Sequence, residues 1–203
     1  MLEYINELGK IMKYDFFAYL NRLKYIKRWS LMRSNYEENV LEHTNQVVIV
    51  THALATIKNK LFKGNVDVLK AVLYAEYHET GEVITGDMPT PIKYFNAQIN
   101  SAYKDIEKGA CLKLLNSLPS EIKEEYEQFV IPNESSEEYK IMKCADTICA
   151  YIKCVEELKL GNSEFKKAKD SIYGKLLSIE REEVKYFLKE VLPVYSLTLD
   201  ELE

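Results

Sequence analysis

The chain has 203 residues, of which 47% are hydrophobic and 29% charged, with 7 Gly, 5 Pro and a formal net charge of −5. That much apolar material can bury a core and excludes intrinsic disorder, while the acidic balance argues against a protein that wraps nucleic acid. No Gly/Ser- or Pro-rich linker divides it, so residues 1–203 read as one domain; the run Val47 to Val50 is too short to span a bilayer, and Glu3 and Glu7 replace the basic start of a secretion signal, which predicts a cytoplasmic protein.

In chain order the pattern is helical throughout. Residues 14–24 read as a short helix with Phe17, Leu20 and Leu23 on one side, and the basic stretch Lys24 to Trp29, which lacks periodicity, reads as a loop. Asn39, with Glu42 three residues on, makes a capping box for a helix reaching about Lys60. On it His43, Val47, Val50, Leu54 and Ile57 follow 4-3-4-3 spacing, which places His43 in the buried stripe. His52 falls on the polar side. Asn65 or Asp67 starts a third helix that carries Ala71, Val72, Ala75 and His78 toward Gly81, and Thr85 to Pro91 is rich enough in Gly and Pro to be an ordered loop. Further helices are expected over 94–118, from Pro119-Ser120, over 137–159 up to Gly161, and around 164–177 and 180–192.

Cys111, Cys144, Cys149 and Cys154 match no zinc spacing. The last three recur every five residues, a step of about 140° on a helix, so they share no face and read as reduced core thiols.

Three places carry unusual chemistry. A histidine on an apolar helix face, as at His43, is more often a hydrogen-bonded core residue than a ligand. His78, however, is followed by Glu79, with Glu82 one turn on, and charge packed around a core histidine calls for a partner. Asp146 lies among small and apolar neighbours in Met142 to Ala150. An unpaired buried carboxylate costs several kcal/mol, so Asp146 is protonated, bound to Lys143 or Lys153, or bound to a metal. Together His43, His78, Glu79 and Asp146 form a mixed nitrogen and oxygen set suited to a divalent transition ion such as Mn, Fe, Co, Ni, Cu or Zn, with coordination positions left for water and substrate. Arg28 can hold phosphate oxygens in a fork, and Trp29 can wall off a sugar or base. Beside a metal, an anionic phosphate substrate is the economical reading of that pair.

The order of His43, then His78 with its acidic neighbour, then Asp146 in a later helix resembles the HD-domain phosphohydrolase superfamily. Arg28-Trp29, Glu38 to His43, Thr85 to Asn96, Lys143 to Asp146, Cys149 to Leu158 and Leu197 to Glu201 look like its bacterial 5′-deoxynucleotidase branch, the YfbR-like proteins. The resemblance covers nearly the whole chain. It implies an all-α HD-domain fold, a homodimer, and release of phosphate from deoxyribonucleoside 5′-monophosphates by a metal-activated water. Carried over by position, His43, His78, Glu79 and Asp146 hold the metal. Arg28 orients the phosphate, Trp29 lies against the sugar and disfavours a 2′-hydroxyl, and Glu82 and Asp87 serve the phosphate and the attacking water. His43, Glu79, Asp146 and the segment Asp87, Met88, Pro89 and Thr90 line the substrate.

One residue departs from that pattern: the family's usual Asp is replaced by Glu79, whose extra methylene moves the carboxylate outward by about 1.5 Å. Two other activities fit the same residues: an HD-type phosphohydrolase for triphosphates, cyclic nucleotides or alarmones, and a non-catalytic nucleotide-binding protein with a site altered at Glu79.

Overall fold

A computed structural model describes residues 14–93 and 95–202. The acidic N-terminal positions Glu3 and Glu7, and Tyr94 at the expected start of a helix, lie outside the described residues.

The described residues are helical, with one isolated antiparallel bridge between Lys27 and Asn39. The chain opens with α1 (Phe16–Leu20), which tightens into a 3-10 turn over Asn21–Tyr25. The buried side here is Phe16 and Leu23, while Phe17 is turned outward against Tyr126. A single helical turn is too short for spacing to decide between adjacent phenylalanines. Residues 26–28 then run extended and pair with 38–40, so the basic stretch is only partly a loop.

The centre is built from α2 (Val40–Leu61), α3 (Val68–Tyr77) and α8 (Glu137–Lys159) packed on one another. Each starts at a side chain that satisfies an otherwise unpaired amide: Asn39 in a full capping box with Glu42, Asp67 accepting from Lys70, and Ser136 accepting from Tyr139. The stripe of α2 enters the core through Val47, Val50 and Leu54. Helix α8 is buried on several sides because α2, α3 and α9 (Lys166–Leu177) all pack against it. That is why Cys144, Cys149 and Cys154 are all buried although they share no face; all four cysteines are free thiols. Gly161, at φ 82°, supplies the left-handed residue past the end of α8.

A second, smaller core gathers Phe16, Leu114, Leu115, Leu118 and Val130 from α1, α6 (Ala97–Leu115), α7 (Ser120–Val130) and their connections. The expected loop over 85–91 is shorter than its composition suggests. Helix α4 (Glu82–Thr85) and the single turn α5 (Thr90–Lys93) encroach from both sides, leaving Gly86 to Pro89 irregular. Pro91 causes no conflict in α5, because an amide in the first helical turn has no intrahelical partner to lose.

The last expected helix is broken into α10 (Glu182–Tyr186), a π-helical turn over Phe187–Val191 and a 3-10 turn over Leu192–Ser196. Pro193 has no amide to return to the preceding turn, so a regular ladder cannot continue through it. Among the described residues no helix is long and apolar enough to cross a membrane.

Candidate metal and phosphate site

The first turn of α2, the segment just past α3 and the middle of α8 converge on one cluster. His43, His78, Glu79 and Asp146 each present a donor atom, and these atoms lie within 4.8 Å of one another. His43 reaches it from the stripe of α2 and is fully buried. His78 sits at the C-cap of α3, one residue beyond the helix, where the turn through Thr80 lets Glu79 point back toward the same space.

The hydrogen bonds define what each nitrogen can do. The Ala75 carbonyl can only accept, so His78 Nδ1 carries the hydrogen and donates to it at 2.7 Å. That directs the buried Nε2 at the cluster; burial lowers His78 but Glu79 and Asp146 raise it more, so a cation at Nε2 would take the place of a proton. Glu79 Oε1 stands 3.2 Å from that nitrogen and 3.9 Å from His43 Nε2. The longer side chain of Glu79 therefore folds into the cluster rather than away from it.

Asp146 answers both sequence readings at once. Its Oδ2 takes an ion pair from Lys143 at 2.6 Å, while its Oδ1 faces His43 Nε2 at 3.1 Å. Lys153, the other candidate partner, is committed elsewhere, to Glu157 and to the Tyr36 carbonyl.

The electrostatics suit a cation. Burial raises the Asp146 carboxyl, but Lys143 and the two histidines outweigh it and hold the group well below the usual range. Glu79 is likewise raised by burial and lowered more by His78 and Arg28. Burial, reinforced by Arg28, lowers His43 and keeps its imidazole neutral at pH 7, the form that ligates metals. Two imidazoles, each with a buried nitrogen lacking a hydrogen-bond partner, and two ionised carboxylates fit a divalent transition ion.

Arg28 borders this cluster. Its Nη1 lies 3.4 Å from Glu79 Oε1 and its Nε donates to Glu38 Oε2 at 3.1 Å. Trp29 stands beside it with a left-handed backbone, φ 56°, its ring tilted against Phe165 and its indole N–H donating to the same Glu38 oxygen at 3.1 Å. The Trp29 amide donates to Asp87, whose carboxyl is raised by burial against the pull of Arg28.

Glu82 is shifted the opposite way from Glu79 and Asp146. Burial, with Glu79 and Asp87 nearby, pushes it up to about 10, and its Oε2 is buried without a partner. It therefore holds a proton at neutral pH. Met88 and Pro89 are half-buried on the loop after Asp87, and Thr90 is exposed at the start of α5. His52 is exposed and apart.

Two participants were absent from the sequence reading of the site. Glu38 is 5% exposed, and Phe165 is fully buried behind Trp29. Glu38 opens the Glu38 to His43 segment that carries the family resemblance, but no spacing gives it a role: it meets Arg28 and Trp29 because the strand-like bridge aligns residues 26–28 with 38–40.

The helical frame is that of the HD-domain phosphohydrolases. A solved HD-domain phosphohydrolase from Listeria innocua superposes with a TM-score of 0.79 at 23% identity, covering 89% of this chain and 88% of that one. An HD phosphohydrolase of cyanophage S-2L, solved bound to dA and one catalytic Zn2+ ion, superposes with a TM-score of 0.61 at 17% identity over 87% of this chain and 95% of that one. The sequence profile of the family described as 5′-deoxynucleotidase YfbR-like matches residues 15–195. A 5′-deoxynucleotidase of Vibrio cholerae is 50% identical over 188 residues, 92% of this chain and 97% of that protein. The chain belongs to the YfbR-like 5′-deoxynucleotidase family.

Proposed function

We propose that the chain is a metal-dependent phosphomonoesterase that releases phosphate from deoxyribonucleoside 5′-monophosphates. The observation that carries this reading is the cluster of His43, His78, Glu79 and Asp146 bordered by the buried guanidinium of Arg28. Its relatives' activity and its family support it.

In this reading His43, His78, Glu79 and Asp146 hold a divalent cation, which when bound lowers the pKa of water so that a nucleophile is available near neutral pH. Arg28 binds the phosphate oxygens and neutralises charge that builds on them during in-line displacement. Glu82, protonated at neutral pH, holds a proton at a buried carboxyl that can pass to the departing 5′-oxygen. Asp87 orients the attacking water or takes its proton. Trp29 lies against the sugar and disfavours a 2′-hydroxyl, and Met88, Pro89 and Thr90 line the substrate beyond Asp87.

We further read residues 1–203 as one domain that acts as a homodimer in a reducing cytoplasm, where its four free thiols persist. Light scattering on the purified protein checks the dimer.

The test is phosphate release from each dNMP and NMP with Mn, Co, Zn or Mg supplied in turn. Release from deoxy monophosphates ahead of ribo monophosphates is expected. Release from triphosphates alone, or from nothing under any metal, overturns the reading.

A further inference from the structure

We propose that Glu38 is a positioning residue that couples the phosphate clamp to the sugar wall, fixing the Trp29 indole in the orientation that excludes a 2′-hydroxyl. The inference rests on the activity proposed above.

One carboxylate oxygen carries the argument. Oε2 of Glu38 accepts both from Arg28 Nε and from Trp29 Nε1, each at 3.1 Å. An ionised carboxylate oxygen can accept two hydrogen bonds, and bonds to a charged group are shorter and stronger than neutral ones. The backbone holds that oxygen in register: the Arg28 amide donates to the Glu38 carbonyl and the Val40 amide to the Ile26 carbonyl, both at 2.9 Å. Glu38 also immediately precedes the Asn39 cap of α2, so its position is tied to the helix that carries His43.

The indole needs such an anchor. Trp29 adopts φ 56°, a conformation a bulky L-residue holds only when its surroundings impose it. Phe165 supports one side of the ring but gives no polar direction, and a tryptophan held by packing alone can rotate about its ring axis. The single bond from Nε1 to Glu38 removes that freedom. The same oxygen steadies Nε of Arg28 while Nη1 meets Glu79 Oε1 at 3.4 Å, so the guanidinium is fixed at two of its nitrogens and presents Nη2 to the phosphate.

Trp29 is the chain's only tryptophan, so its fluorescence reports its own mobility without reference to turnover. The experiment compares wild type with Glu38→Ala and Glu38→Gln in two measurements: acrylamide quenching of Trp29, and the ratio of kcat/KM for dAMP over AMP. In Glu38→Ala, quenching is expected to rise and the ratio to fall about tenfold; Glu38→Gln, which keeps an acceptor but not the charge, falls between. A double variant with Trp29→Phe should lower the ratio no further than Trp29→Phe alone, as expected for residues acting as one unit. Simple destabilisation scales both substrates together and leaves the ratio unchanged. An unchanged ratio in folded Glu38→Ala, or a wild type indifferent to the 2′-hydroxyl, overturns the inference. If Glu38→Ala does not fold, Glu38→Gln carries the test alone. A wild type that releases no phosphate from any dNMP is instead a failure of the functional reading; unaltered quenching in the variants then overturns the role of Glu38 independently.

Discussion

Oε1 of Glu79 lies 3.4 Å from Nη1 of Arg28, so one carboxylate of the His43, His78, Glu79 and Asp146 cluster also meets the guanidinium proposed above to bind phosphate. An aspartate at this position would keep the charge but pull back by about one C–C bond, roughly 1.5 Å. Arg28 would then have to give up less to meet phosphate. Glu79→Asp should therefore retain one divalent ion per chain and lower KM for deoxynucleoside monophosphates, by up to about tenfold if the released contact is near the ~1.5 kcal/mol of a weak charge-assisted hydrogen bond. Metal analysis and steady-state kinetics on the same preparation check this; an unchanged KM means that Glu79 does not compete with the phosphate.

His78→Ala and Asp146→Ala should each purify with far less than one ion per chain. The first removes the unpartnered Nε2, and the second leaves Lys143 facing the cluster as an uncompensated cation. His52→Ala, at an exposed histidine, should keep full metal content. Elemental analysis of the three variants separates a specific site from adventitious binding by histidines.

Glu82→Gln should cost activity and add stability. The folded-state pKa of Glu82 is pushed up to about 10, above the ordinary value of 4.5. Its contribution to stability is therefore fully present below about pH 4.5 and is lost progressively as pH rises toward 10. Gln cannot ionise, so after metal removal with EDTA the variant should melt at the wild-type temperature near pH 4.5 and above it at pH 8, with the gap widening with pH. A constant gap would show that Glu82 ionises normally in the fold. Phosphate release by the variant should fall because the carboxyl proton is gone.

Glu157 behaves in the opposite sense. Burial raises its carboxyl, but Lys153, the amides of Asn35 and Tyr36, and Asn162 together hold it at about 2. With the folded pKa below the ordinary 4.5, its contribution is present above about pH 4.5 and lost as pH falls toward 2. The difference corresponds to at most about 3 kcal/mol at neutral pH. Glu157→Gln also strands the buried Lys153, so its melting temperature at pH 7 should drop by roughly 6–12 °C for a chain of this size. Melting curves between pH 7 and pH 2.5 should show the wild type converging on the variant as the medium acidifies.

What the sequence revealed followed the range of the interactions involved. The start of α2 was legible because a capping box is complete within four residues, and His43 was legible because a helix repeats every 3.6 residues. Asp146 stood out as a carboxylate among small apolar neighbours. Glu38 did not, because its role depends on an alignment of 26–28 with 38–40 that has no periodic signature. Phe17, expected beside Leu20 and Leu23, gives its buried place to Phe16 because one turn of helix offers too few positions to fix a face. The break at Phe187–Val191 was missed because the apolar pattern continues through it, while the cause sits two residues beyond at Pro193.

The cluster donors occupy positions 43, 78, 79 and 146, on segments brought together only when α2, α3 and α8 dock. A cation gripping all of them recognises the native chain and not the unfolded one, so its binding is also folding energy, about 2.7 kcal/mol when the free ion stands a hundredfold above its Kd. Scarcity of the ion would then act on the lifetime of the protein as well as on its turnover. A cell short of metal would find this polypeptide unfolding and being degraded sooner, and its abundance would follow the ion supply with no change in its gene.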